Sequence, residues 1–507
     1  YGKISMIDSN TSSSSSSSSK DGLLAAILAE ESYVPTEPDS IEYLGLPVSM
    51  IEALICKRLQ IVGMTTGRRL AEQICLPFRV LEDVYQTLRG RQIIVHTGSA
   101  PFNDYTYTLT EHGRERAAAA TRACAYAGPA PVPLTDYVLS VEAQSIRAEA
   151  PRRDDLRNAF EGISINEDMF ATLGPAVNSG TGLFLYGDPG NGKTTIAKRI
   201  TRCFQQKIWI PHALYEDGQI IKLYDAAYHE KDETNEDTLI KASAFDTRWI
   251  KIHRPNVIVG GELTLDNLEI NHNATANVSE ASLQMKSNCG CLLIDDFGRQ
   301  RVDPLELLNR WIVPLESHVD YLTLSTGKKI QVPFEQLIIF STNLEPKDLV
   351  DDAFLRRIPY KVEVGDPRAD EFHFLFQLAA SALKCEYNKD AVEHLLQQHY
   401  YPNNRSLRRC HPRDLLNQIR NYCVYSDIPM TMDRKLFDRV ANSYFTAVLS
   451  DNTTNHAATP STSLRSAPPP PENADNSTNG VPPSIPAANE STMTCPVAVN
   501  PSTIPVG

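Results

Sequence analysis

The chain lacks a membrane-spanning run: its longest apolar stretch, "LLAAILA" from Leu23 to Ala29, is far short of the about 20 residues a bilayer core requires. That stretch runs into Glu30 and Glu31, which predicts the start of an amphipathic helix rather than a secretory signal. A disulfide framework is also lacking. Ten cysteines are scattered over 507 residues without a CxxC pair, so reduced thiols in a cytoplasmic compartment are expected. The one close pair, Cys289 and Cys291, lies in an apolar strand pattern that suits packing better than metal. Positive charge is in deficit. With 49 Lys and Arg against 62 Asp and Glu, the net charge of −13 excludes nonspecific coating of nucleic acid or anionic membrane, though not a local basic patch. What remains, 42% hydrophobic, is a globular chain too long for one core.

The ends are compositionally distinct. Residues 1–21 include an unbroken serine tract, Ser12 to Ser19, and residues 450–507 are rich in Asn, Ser, Thr, Ala and Pro. Both are expected to be disordered, because neither can bury a core. Residues 22–127 read as a first domain. Ile51, Leu54, Ile55 and Leu59 recur at helical spacing, Thr66 offers a cap for a second helix carrying Leu70 and Ile74, and Phe78, Leu81, Val84 and Leu88 mark a third. "RQIIVHTGSAPFNDYTYTLT" then alternates across a Gly/Pro/Asn turn, as a β-hairpin does. Three helices followed by a hairpin resemble a winged-helix domain, whose usual role is to read DNA with its third helix. Here that helix carries Arg79 among Glu82, Asp83 and Gln86, a poor surface for phosphates, so protein docking or a structural role is preferred and DNA binding is the alternative. Residues 128–151, opening with "GPAPVPL", are expected to form a Pro-rich and helical linker.

The densest chemistry lies in "TGLFLYGDPGNGKTTIAKRI". Leu183 to Tyr186 predict a buried strand, Gly187 to Thr194 satisfy GxxxxGK followed by Ser or Thr, and Ile196 and Ile200 continue as a helix. Such a loop turns backbone N–H groups inward around phosphate oxygens and adds the dipole of a helix N-terminus. The candidate nucleotide contacts are Gly187, Asp188, Pro189, Gly190, Asn191, Gly192, Lys193, Thr194 and Thr195. Lys193 would reach the β and γ phosphates, and Thr194 would ligate Mg²⁺. Downstream, "CLLIDDFGRQ" drives a strand-like apolar run into Asp295 and Asp296. Buried acids demand a cation. Asp295 is therefore assigned to Mg²⁺, and Asp296 to the base or orienter of an attacking water, with ATP and Mg²⁺ as the implied cofactors.

These residues resemble an AAA+ ATPase over about Arg152 to Leu449. The resemblance implies a P-loop α/β three-layer core at 152–365, an α-helical lid at 366–449, and the winged-helix-like α+β domain in front, flanked by disordered tails. "LIIFSTN" is similar to the family's sensor 1, which places Asn343 on the attacking water. "DDAFLRRIPYKVEV" resembles the segment that carries arginine fingers into a neighbouring subunit, with Arg357 the first choice and Arg356 the second. "CHPRDLLNQIRN" resembles the sensor 2 helix, with Arg413 over the γ-phosphate. One departure is that relatives carry glutamate where Asp296 stands. A long insertion before "SNCGCLLIDD" and a hairpin pattern in "VDYLTLSTGKKIQVPF" look like the branch with an insertion in its second helix, although the "GAFTGA" mark of sigma-54 activators is absent. Glu262 and His272 in the insertion read as solvated loop rather than as catalytic or metal residues. The function implied is an ATP-hydrolysing remodelling protein, cytoplasmic, acting as a homo-oligomeric ring, a hexamer, on a protein partner. The alternatives are a nucleotide-gated DNA-binding regulator or loader, and a nearly inactive ATP-bound scaffold.

Overall fold

The computed structural model describes residues 33–163, 165, 167–233, 245–350 and 352–452. The serine tract, the "LLAAILA" stretch and the tail beyond Asn452 lie outside the described residues. The described residues up to Ala447 form one compact unit; of the second, Val448–Gly507, only the end of a helix is described.

The first described elements are helices α1 (Val48–Val62), α2 (Gly67–Ile74) and α3 (Phe78–Gly90). With them goes a three-stranded antiparallel sheet of β1 (Met64–Thr66), β2 (Ile94–Ala100) and β3 (Asp104–Leu109), with β3 central; helix α4 (Glu111–Ala123) follows. Local chemistry sets the boundaries. The Thr66 hydroxyl accepts from Arg69 N, and Asp104 on the hairpin accepts from the Gly67 and Arg68 amides, so the start of α2 is capped twice. Ile51, Leu54, Leu70, Leu81 and Leu88 are completely buried between these helices. On α3, Arg79 pairs with Glu37 and Asp39, upstream acids that the local reading of the helix did not consider.

The central sheet contains five parallel strands: β4 (Gly182–Tyr186), β5 (Asn256–Val259), β6 (Cys291–Ile294), β7 (Leu337–Thr342) and β8 (Tyr360–Glu363). Their order across the sheet is β5-β6-β7-β4-β8. Parallel strands covered on both faces read as near-continuous apolar runs, as β6 and β7 do. Pleating sorts each run. Leu183 and Leu185 pack with Ile196, Ala197 and Ile200 of α5 (Lys193–Ile200), whereas Phe184, Ile338 and Phe340 pack with Leu307, Leu308 and Trp311 of α6 (Pro304–Ser317) on the other face. The result is a helix–sheet–helix α/β core. A separate cluster holds the C-terminal helices α7 (Ala369–Ala382), α8 (Lys389–Leu395), α9 (His411–Tyr425) and α10 (Arg434–Asn452).

The insertion holds the expected hairpin and further strands besides. Much of the extra chain precedes β5, as strands Ile208–Pro211, Ala213–Glu216, Gln219–Lys222 and Trp249–Ile252. After β5 come the hairpin Asn271–Asn273 with Val278–Glu280 and a five-residue helix, Leu283–Ser287. Ile208–Pro211 and Trp249–Ile252 pair with each other, whereas the hairpin, Gln219–Lys222 and Ala213–Glu216 form a five-stranded sheet that Val132–Pro133, from the segment read as a linker, completes beside Ala213–Glu216. Alternation then gives the sheet two apolar faces. Ala213, Ile220 and Val278 complete the core of the N-terminal helices, while Leu214 and Ile221 pack with Tyr137, Leu322 and Ile330. The ion pair of Arg248 with Asp246, both nearly inaccessible, sits at the same junction, where Arg248 also donates to the carbonyls of Leu44 and Pro131. The second hairpin, Val319–Thr323 with Lys329–Pro333, forms as the sequence pattern predicts.

Candidate functional site

Strands β6, β7 and β4 are neighbours, so the residues following each of them emerge side by side at the carboxyl edge of the sheet. Ligand sites of open α/β sheets lie at such an edge, outside the strand ends. After β4 the chain turns through Gly187, Gly190 and Gly192, all at positive φ, into α5. Two of these glycines are sterically required. A Cβ at Gly187 would lie 2.6 Å from the Val364 carbonyl oxygen, and one at Gly190 would lie 2.6 Å from Cys410 Sγ.

Lys193 is buried, and its ammonium donates to the carbonyl oxygens of Gly187 at 2.9 Å and Asp188 at 3.0 Å and to Asn343 Oδ1 at 2.7 Å. Burial lowers its pKa, opposed by the charges of Asp296, Asp295 and Asp188. Thr194 Oγ1 donates to Asp295 Oδ2 at 2.8 Å. Asp296 is exposed in the left-handed region, φ 50°, and its carboxylate accepts from Asn343 Nδ2 at 3.4 Å. The Gln300 amide donates to the carbonyls of both Asp295 and Asp296, bracing the turn that presents the acids.

A cavity of about 470 Å³ brings these groups together. Its lining includes Pro189 to Ile196, Asp295, Asp296, Ser341 and Asn343 from the core, Arg413 from α9, and Arg409 and Cys410 just before that helix. Gly162, Ile163, Leu375 and Leu378 give it an apolar end. Arg413 is exposed at this cavity and pairs with Asp414 at 3.2 Å. Arg356 and Arg357 do not line it. Arg356 is exposed, and Arg357 pairs with Glu316 at 2.6 Å.

Sequence reasoning missed Arg408 to Cys410. Arg408 Nη1 donates to Asp188 Oδ2 at 2.5 Å and to Asp366 Oδ1 at 2.6 Å. Asn191, fully buried, donates to Asp366 at 2.8 Å and accepts from Arg409 N, while Cys410 N donates to the Gly190 carbonyl at 2.9 Å. The available signal was the Arg-Arg pair directly before "CHPRDL".

Thr194 and Asp295 supply hard oxygen donors of the kind Mg²⁺ takes alongside substrate phosphates. Among the described residues no group of three His, Cys, Asp or Glu side chains could hold a metal by itself. Glu262 accepts the Gly260 amide and His272 pairs with Ser279 within the hairpin. Cys289 and Cys291 are buried, and burial pushes both thiols up, Cys289 to about 12.

A family model described as "Domain of unknown function (DUF8689)" matches residues 368–443, from just before α7 into α10. No curated protein matches the chain. Among solved structures, NtrX from Brucella abortus is 14% identical with a TM-score of 0.33, covering 60% of this chain and 65% of that one. NtrX in complex with ATP is 13% identical, TM-score 0.33, covering 53% and 51%. The Thermotoga maritima RuvB Holliday junction branch migration motor is 14% identical, TM-score 0.32, covering 55% and 67%. The chain thus spans about two thirds or less of the NtrX chains it matches.

Proposed function

We propose that this chain is a P-loop protein that binds and hydrolyses a nucleoside triphosphate. Within that class we infer an AAA+ ATPase that remodels a protein partner as a ring oligomer, with the N-terminal helices and hairpin acting as a winged-helix adaptor. The observation that carries this reading is the convergence of Lys193, Thr194, Asp295, Asp296 and Asn343 on one cavity lined by the glycine-rich loop. Lys193 and the loop amides would hold the β and γ phosphates. Thr194 and Asp295 would hold Mg²⁺, which when bound supplies neutralisation of phosphate charge. Asp296 and Asn343, in contact with each other, would orient the water for in-line attack, and Arg413 would approach the γ-phosphate from the lid. Arg357 would complete the site of an adjacent subunit.

The experiment is steady-state phosphate release from Mg·ATP by the full chain beside Lys193→Ala. Turnover that vanishes in the variant supports the assignment; equal turnover overturns it. One observation favours a second reading, an ATP-bound scaffold of very low turnover. Asp296 has a short side chain and already holds the Asn343 amide at 3.4 Å. ATP that stays bound and uncleaved in the wild type would select that reading.

A further inference from the structure

The glycine-rich loop contains an acid where anionic phosphates are to bind. Asp188 directly follows Gly187, its side chain is 57% exposed, and its backbone carbonyl accepts from the Lys193 ammonium. A second acid, Asp366, stands behind the loop on the chain leaving β8, hydrogen-bonded to the buried Asn191. Two carboxylates this close to a polyanion would repel it unless a cation intervened. The lid supplies that cation. Arg408 bonds both acids from one nitrogen, Asp188 from 220 residues away in sequence and Asp366 from 42, and its side chain is only 20% exposed.

We propose that Arg408 is a charge-compensating positioning residue of the phosphate site: it cancels Asp188 and Asp366 and so permits a polyphosphate to bind beside them. The proposal rests on the nucleotide reading of the cavity. Three neighbouring contacts hold the segment that carries Arg408. Cys410 N bonds the Gly190 carbonyl, Arg409 N bonds Asn191 Oδ1, and Arg409 pairs with Glu371 at 3.2 Å. The lid is therefore tied to the loop by protein contacts alone. The same two partners, Asp188 and Arg408, act with opposite signs on the charge of Lys193, which places the pair within electrostatic reach of the phosphate-binding ammonium.

The test is Mg·ATP affinity of the full chain by isothermal calorimetry, with a thermal melt of each variant. Arg408→Ala is expected to weaken binding about tenfold, as loss of a charge-assisted pair would. Asp188→Asn should bind about threefold more tightly than wild type, because a negative charge beside the phosphates is gone. The double variant Arg408→Ala with Asp188→Asn should recover most of the lost affinity, although it contains fewer contacts than either parent. A purely structural arginine would give no such recovery. Undiminished affinity in Arg408→Ala, failure of the double variant to recover, or weaker binding by Asp188→Asn would each overturn the proposal. Should Arg408→Ala fail to fold, the Asp188→Asn result decides by its sign. A wild-type chain that binds no Mg·ATP would instead defeat the nucleotide reading itself.

Discussion

Lys193 shows how much of this site depends on single atoms. Its ammonium is held by two loop carbonyls and the Asn343 amide oxygen, in a buried setting that lowers its pKa. A bound phosphate would offer that ammonium a full negative charge in place of a dipole. Lys193→Ala should accordingly lose detectable hydrolysis and bind Mg·ATP more weakly, as read by phosphate release and calorimetry. The two acids after β6 should behave differently from each other. Asp295 accepts the Thr194 hydroxyl, so Asp295→Asn should weaken metal-dependent binding and remove hydrolysis together. Asp296 touches Asn343 instead, so Asp296→Asn should bind Mg·ATP normally and hydrolyse it roughly a hundredfold more slowly, the usual loss when a positioned base is removed. A single-turnover rate at saturating Mg·ATP separates the two. Unchanged hydrolysis in Asp296→Asn would mean that another residue orients the water. Asp296→Glu lengthens the acid by one methylene, and should keep or raise the rate.

At the scale of elements, helix α9 couples the lid core to the site. His411 in its first turn is buried, its Nδ1 bonded to the Tyr400 hydroxyl at 2.8 Å and its ring packed against Tyr444 and Phe445. Burial pushes this imidazole down from its ordinary 6.5 to about 4, with Arg408 adding to the effect. The folded-state pKa lies below the unfolded one, so the unfolded chain binds more protons between those values. Stability from the neutral ring is fully present above pH 6.5 and is lost as pH falls toward about 4, roughly 3 kcal/mol in all. Urea midpoints measured from pH 7.5 to 4.5 should fall over that window, and His411→Phe should flatten the slope. An unchanged slope would assign the acid sensitivity to other groups. The same helix explains a miss. Its Arg413 was legible in the sequence pattern, but Arg408 and Arg409 precede the helix and carry no periodic signal.

At the scale of the whole molecule, two expectations concern parts that meet other parts. Arg357 lies outside the cavity of its own chain and pairs with Glu316, near the end of α6. If it serves a neighbour's nucleotide, Arg357→Ala should retain Mg·ATP affinity while hydrolysis collapses, and mixing it with wild type should depress activity beyond its fraction. Wild-type specific activity that stays constant on dilution through the dissociation range would rule out action in trans. The N-terminal helices and hairpin share a core with Ala213, Ile220 and Val278 of the insertion, and Asn277 bonds the Ala123 carbonyl. Excised as residues 33–127, they should melt well below the full chain, because that shared face becomes exposed. With Arg79 already paired to Glu37 and Asp39, the fragment should bind duplex DNA no more tightly than micromolar at physiological salt. Nanomolar, sequence-selective binding would favour a DNA-reading role.

What the sequence determined by itself is local and contiguous. The apolar runs of β4, β6 and β7, the glycine-rich turn into α5, and the acids and amide that directly follow strands are all written in consecutive residues, since backbone sterics and burial act within a few positions. Only the tertiary structure decided which distant groups meet. Val132–Pro133 became a sheet strand because an edge of the insertion needed a partner for its unpaired backbone groups, and nothing in "PAPVPL" announces that edge. Arg79 found Glu37 and Asp39 rather than acids on its own helix, and Arg357 found Glu316. Arg408 found Asp188 and Asp366 across the lid boundary. A charge selects its partner by distance in space, and distance between residues far apart in sequence is set by the fold alone.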